Sequence, residues 1–344
     1  MLYATTRNNS DAFTAQRVLT MKRGSDGGLF VPFRLSRFSE GEILALGQRN
    51  FNSNLADMLN LLFGSRLTGY DIDFAMGRYS VRLQQLGQKI VMGECWHNTD
   101  WLFSRMVSDL SRLVLSDETE QAELKGWAEI GVRISVLFGI FGELIRAGLA
   151  GGDKKVDIAM VSGDFSAPMA AWYARSMGLL IGNIVCCCNE NSGIWDFICH
   201  GQLRTDGVAV KTVVPEGDVV VPESLERLIS AYGGPSEVDH FVETVRRGGT
   251  YYADDAFLQR LRQGIYVTVS SERRILSTIP SAYSTHEYLL APASALAYAG
   301  LQDYRARTGA LRTALILTEK SPALDQELIA KILGISEQGL AKRL

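Results

Sequence analysis

The side chains able to do chemistry are few and scattered. Ser104 follows His97 by seven residues, placing a hydroxyl and an imidazole close in sequence, yet the spacing spells no Ser-His-Asp order. A helix-start serine meeting backbone and a packed, hydrogen-bonded histidine are the plainer readings. Arg105, next along, can greet an anion or simply sit in a salt bridge. Five cysteines include the run Cys186-Cys187-Cys188. On a strand such neighbours face opposite ways, so they suit neither a chelate nor a disulfide framework and read as small buried hydrophobes. Cys199-His200 and Cys95-Trp96-His97 lack zinc-ligand spacing, and no metal is expected. Asn189, at the C-terminal end of the cysteine strand, falls where α/β folds take ligands.

Elements must position these groups, and the composition can supply them. The 344 residues are 47% hydrophobic and 21% charged with net charge −3, enough for a real core in one large domain or two. Near-neutral charge argues against nucleic-acid binding, and the helix-turn-helix spacing from Ala330 to Leu344 does not change that. The strongly apolar stretch Ile134–Gly142 is far short of the roughly 20 residues of a membrane span. No secretory leader is readable, and free cysteines suit a reducing compartment, so a cytoplasmic location is expected. Leu2–Thr6 reads as a strand, and Ser39-Glu40-Gly41-Glu42 as a capping box. Ser53–Phe63 and Asp71–Leu86 read as helices closed by Gly64 and Gly87. From about Lys89 short apolar runs (Val156–Val161, Asn183–Cys188, Val208–Val213, Thr313–Leu317) alternate with helical segments. Ala167–Met177, Glu223–Tyr232 and Pro292–Arg307 are such segments, and the alternation implies a parallel sheet.

Longer strings carry a family signal. Tyr3-Ala4-Thr5-Thr6-Arg7 precedes Asp26-Gly27-Gly28-Leu29-Phe30-Val31-Pro32. Ser162-Gly163-Asp164-Phe165 precedes Ala170 to Leu179; Cys188-Asn189-Glu190-Asn191 follows, then Ala291-Pro292 to Tyr298 and Leu317-Thr318 to Ala323. In this order they resemble the threonine synthases, lyases that use pyridoxal phosphate (PLP) on fold type II, the tryptophan-synthase-β architecture. The resemblance implies a large α/β domain with a mostly parallel twisted sheet flanked by helices. An N-terminal helical subdomain would span 1–88 and the α/β domain 89–344. It further implies a phosphate loop at Gly163, Asp164, Phe165 and Ser166, with Asn189 and Thr318 near the ligand.

The departures bear on function. The family's lysine-bearing string aligns without a gap on Glu94 to Arg105, and Ser104 stands at the lysine position. A hydroxyl forms no Schiff base, so anchor and proton shuttle are missing. The family's Gly-Asn-Phe-Gly loop becomes Gly163-Asp164-Phe165-Ser166. A carboxylate a few ångströms from a phosphate opposes it by about 4 kcal/mol or more at an effective dielectric of about 20. Residues 105–155 leave room for two helices, about Arg105–Ser116 and Leu124–Leu149, and not for the family's small mobile domain. The acidic link Asp117-Glu118-Thr119-Glu120 would mark the deletion.

Two functions stay open. One is a pseudoenzyme that binds a metabolite or protein partner without PLP, with His97, Ser104, Arg105, Gly163, Asp164, Phe165, Ser166, Asn189 and Thr318 as its candidate site. The other is an enzyme, cofactor-free or keeping the family's conversion of O-phosphohomoserine to threonine with PLP. A domain's loss uncovers apolar surface, so a homodimer is expected.

Overall fold

A computed structural model describes residues 1–76, 81–87, 89–96, 103–115 and 126–343; for 75–76, 103–107 and 111 it describes backbone alone. The chain opens with β1 (Leu2–Thr5), β2 (Phe13–Thr14), α1 (Ala15–Thr20) and β3 (Phe30–Pro32), the strands pairing antiparallel in the order β2-β1-β3. The expected capping box opens α2 (Glu40–Ala45), its Ser39 accepting from the Glu42 N–H. Helix α3 (Phe51–Phe63), capped by Asn50, ends at Gly64 with φ 73°, a left-handed stop suited to glycine.

The sequence pattern misleads next. In place of one helix over Asp71–Leu86, α4 (Gly69–Met76) is followed by strand β4 (Arg82–Leu86), antiparallel to β5 (Ile90–Glu94). Apolar residues at 72, 75, 76, 79, 83 and 86 mimic a helical stripe, but Leu83 and Leu86 also serve a sheet edge, and Gly87 (φ 61°) sits in the hairpin turn. Tyr79 of that stripe lies outside the described residues.

After β5 come α5 (Phe103–Val114) and α6 (Trp127–Arg146), close to the two expected helices. Among the described residues between Phe103 and Lys155 there is otherwise only an isolated bridge, Gly151 to Lys154. The acidic link 117–120 lies outside the described residues. Helix α6 packs on α3 at close range because it presents glycines: a Cβ on Gly131 would fall 2.3 Å from the Phe63 ring, and one on Gly139 2.6 Å from Phe51.

The remaining elements are β6 (Val156–Val161), α7 (Ser166–Ser176), β7 (Ile181–Cys188), α8 (Gly193–His200), β8 (Gln202–Arg204) and α9 (Leu225–Arg247, kinked at Gly234). They continue with β9 (Thr250–Tyr252), α10 (Asp255–Leu261), β10 (Ile265–Val269), α11 (Glu272–His286), α12 (Pro292–Thr308), β11 (Ala314–Thr318), α13 (Gln326–Leu333) and α14 (Glu337–Ala341). The main sheet runs β10-β7-β6-β11-β5-β4, parallel except for β4. Its central strands are apolar almost throughout because helices cover both faces. Cys186 and Cys188 enter the core beneath α3, α6 and α7, while Cys187 points into the core under α11 and α12. Among the described residues no helix is long and apolar enough to cross a membrane.

Val208–Val213, expected as a strand, is a loop, with Val208 91% exposed. The Asn189 and Asn191 amides and Asp218 fasten it. Strand β10, Ile-Tyr-Val-Thr-Val, takes the sheet position beside β7 in its place.

The two N-terminal strings form a clasp. The Thr6 hydroxyl and the Arg7 and Arg23 guanidinium groups converge on the buried Glu226 carboxylate at the start of α9. The neighbouring Arg227 donates from Nε to the Phe30 carbonyl at 3.0 Å. A Cβ on Gly24 would lie 2.4 Å from the Thr5 methyl, and one on Gly28 2.9 Å from Thr5 Cβ, so these turns need glycine to close. One residue before α9, the Ser224 N–H donates to the Asp164 carbonyl at 2.9 Å, tying the clasp to the loop ahead of α7.

Candidate functional site

Strands β6 and β11 are adjacent at the centre of the sheet, where the strand order reverses, and their C-terminal ends open into a cleft of about 750 Å³. Open α/β sheets take ligands at such switch points. Gly163, Asp164 and Ser166 line the cleft from the β6 side, and Leu317, Glu319 and Lys320 from the β11 side.

The loop between β6 and α7 is tightly specified. Gly163 has φ 47°, and a Cβ there would press to 3.0 Å on the Glu216 carbonyl. Phe165 follows at φ 70°, in the left-handed region as a fully buried non-glycine residue; its N–H donates to the Ser162 carbonyl at 2.9 Å. Burying the ring holds this costly conformation in place. The turn aims the first amide of α7 back at the loop: the Ser166 N–H donates to Asp164 Oδ1 at 3.0 Å. The Ser166 hydroxyl lies 2.7 Å from the same oxygen and 2.9 Å from Glu129 Oε1 on α6. Two carboxylates thus converge on one hydroxyl at a helix N-terminus, and Pro168, two residues on, has no N–H to offer.

Charge around the cleft is arranged in pairs. Arg133 on α6 bonds Glu129 at 3.0 Å and reaches both oxygens of Glu319. Burial works against its charge, but the Glu319 and Glu129 carboxylates overcome that and hold the guanidinium protonated. Lys320 pairs with Glu216, and Lys22 meets Glu223 at 3.1 Å. Among the described residues Asp164 has no cation within ion-pair distance. Arg227, buried behind the loop and lowered in pKa by desolvation, feels Asp164 only at longer range.

The structure separates the candidates drawn from sequence. Phe165 lies beneath the cleft wall rather than in it. Asn189 is buried with its amide filled: it donates to Thr212, Val214 and Asp218 and accepts from the Asn191 N–H. The buried Thr318 hydroxyl accepts from Trp96 Nε1 at 3.0 Å and faces the Gly93 carbonyl at 3.3 Å. Ser104 and Arg105 fall in the first turn of α5, where the backbone alone is described, and His97 lies outside the described residues. Sequence reasoning missed Glu129, Arg133, Glu319 and Lys320. The signal was there: Glu129 and Arg133, at i and i+4, place charge in the first half of a largely apolar helix, and Glu319-Lys320 follow a strand directly. Among the described residues no three His, Cys, Asp or Glu side chains gather as metal ligands.

This architecture is that of the threonine synthases. A crystal structure of PLP-bound threonine synthase from Brucella melitensis superposes with a TM-score of 0.85 over 97% of this chain and 92% of that one, at 17% identity. In sequence, 160 residues (45% of the chain) are 30% identical to threonine synthase-like 1 of Pongo abelii, and 150 residues (42%) are 29% identical to threonine synthase of Corynebacterium glutamicum. Those stretches cover 21% and 31% of the two relatives. No protein-family model matches the chain. In fold the chain is similar to the threonine synthases, and over part of its sequence it is similar to threonine synthase and to threonine synthase-like 1.

Proposed function

We propose that this chain is a threonine synthase-like scaffold that binds a ligand in its cleft and does no PLP chemistry. One observation carries the reading: the Asp164 carboxylate already accepts the first N–H of α7, in the loop that the resemblance assigns to a phosphate. A phosphate arriving there would meet the carboxylates of Asp164 and Glu129. At about 4 Å and an effective dielectric near 20, each pair of unit like charges costs about 4 kcal/mol. A neutral hydrogen bond returns about 1 kcal/mol. The residues present do not fit the phosphate group. Ser104 at the lysine-equivalent position supplies no amine, and the two helices that the passage from β5 to β6 holds among the described residues support the loss of the small domain.

An enzyme of the family's kind has one observation in its favour. Lys22 and Lys320 line the cleft, and a lysine elsewhere in the wall could replace the missing one. Both ammonium groups are engaged by carboxylates, which opposes imine formation. The test is to incubate the protein with PLP, record aldimine absorbance, reduce with borohydride and map modified peptides, with O-phosphohomoserine turnover assayed in parallel. The scaffold reading expects no saturable aldimine and no threonine. Stoichiometric labelling of one lysine together with threonine formation would overturn it.

A further inference from the structure

We infer that the start of α12 is a seat for the carboxylate of a small aliphatic monocarboxylic acid, held by the Ser294 hydroxyl and the Ala293 and Ser294 N–H groups. The inference rests on the reading that the cleft takes a ligand other than PLP, and it names that ligand's class. Two helices begin at the cleft, and their first turns differ. At α7 the Asp164 carboxylate already accepts the Ser166 N–H. Helix α12 starts with Ala291 as its N-cap, which brings no side-chain oxygen, and with Pro292 at its first position. Its first backbone bond runs from the Ala295 N–H to the Ala291 carbonyl, which leaves the Ala293 and Ser294 N–H groups without a partner among the described residues. Ser294 gives an independent sign of a ligand. Only 4% exposed, it lines the cleft, and its hydroxyl has no hydrogen-bond partner among the described residues. Buried hydroxyls nearly always have one. One hydroxyl and two N–H groups match the two oxygens of a carboxylate, and the positive end of a 17-residue helix adds to the attraction. Helix α7 packs into the core with α3 and α6 and α12 into the core with α11, so the seat enters the cleft from the side opposite Asp164. Met160, Val161, Ala297 and Leu317 line the cleft with apolar surface for a short hydrocarbon chain. Among the described residues the wall carries five carboxylates against three cations, which favours one negative charge over the two of a phosphate.

The experiment is calorimetric titration of the whole chain with butyrate, with butanol and inorganic phosphate as neutral and doubly charged counterparts, and with PLP followed by aldimine absorbance. It is run on the wild type, Ser294→Ala, Ala293→Asp and Leu311→Asp. Ala293→Asp sets a carboxylate of the chain's own in the first turn of α12, where the helix dipole favours it, so the melting temperature should hold while the seat is filled. Leu311→Asp adds the same charge at an exposed position ahead of β11, at the end of that strand away from the cleft. Butyrate should saturate the wild type by about 10 mM and bind Leu311→Asp equally. Ser294→Ala should weaken it about fivefold or more, and Ala293→Asp should abolish it. Butanol should not bind, and phosphate should bind more weakly than butyrate. Butyrate failing to saturate the wild type, binding Ser294→Ala or Ala293→Asp unchanged, being lost equally from Leu311→Asp, or being matched by butanol or phosphate overturns the inference alone, provided no aldimine forms. A saturable PLP aldimine in the wild type overturns the preceding reading and this inference with it.

Discussion

The N-terminal clasp and the β6–α7 loop both carry strings that resemble threonine synthases, and they have fared differently. In the clasp the string residues help to close the fold, with Thr6 and Arg7 on Glu226, Gly28 against Thr5, and the Phe30 carbonyl on Arg227. In the loop the geometry survives, with Gly163 and Phe165 still at positive φ, while the groups facing the cleft are rewritten to Asp164 and Ser166. The difference teaches what each string is for. A signature that closes the fold cannot change without cost to stability, whereas one whose side chains face a cleft can change without that cost.

Four changes would break or sharpen that contrast. The largest effect is expected in the clasp: Glu226→Ala leaves Arg7 and Arg23 without their shared partner and should cost about 3–5 kcal/mol in urea unfolding. Arg7 and Arg23 are partly exposed, so the lower end is expected. Gly24→Ala, whose Cβ would strike Thr5 and Asp26, should cost about 1–3 kcal/mol. A loss below about 0.5 kcal/mol for either would mean that the clasp is not what fixes these residues.

Alkaline pH should loosen the sheet with a smaller, graded effect. Burial pushes the Cys188 thiol up to about 11 and Cys187 to about 12 from an ordinary 9.0, and Cys186 rises as well. The unfolded chain then releases these protons at lower pH than the folded one. Stability from the neutral thiols is whole below pH 9 and declines as pH climbs toward 11 and above. Urea midpoints across that range, compared with a Cys187→Ala, Cys188→Ala variant, isolate the share of those two thiols. The smallest effect belongs to the loop: Asp164→Asn should change stability by no more than about 0.5 kcal/mol, because an amide oxygen can accept the same N–H.

How much could be read beforehand follows from the same division. Strands β6, β7 and β11 and helices α7 and α12 are legible because burial on both faces forces continuous apolar runs between turns. The α4–β4 stretch is not, since a few apolar residues satisfy either period, nor is the loop 208–213, whose valines follow a strand's pattern without a neighbouring strand. Asp164 and Ser166 stand out only against the resembled loop. That Asp164 turns back onto the Ser166 N–H depends on the positive φ of Phe165, which sequence does not announce. The Glu129–Arg133–Glu319 group joins α6 to the end of β11, residues 186 apart at Arg133 and Glu319, and no local pattern links them.

The central claim is that the seat at the start of α7 is filled by the chain's own carboxylate. Equilibrium dialysis of PLP against the wild type and against Asp164→Asn combined with Ser166→Gly tests it without requiring any lysine. The account predicts that the double variant binds at least about tenfold more tightly than the wild type. Equal affinity, or tighter binding by the wild type, would contradict it.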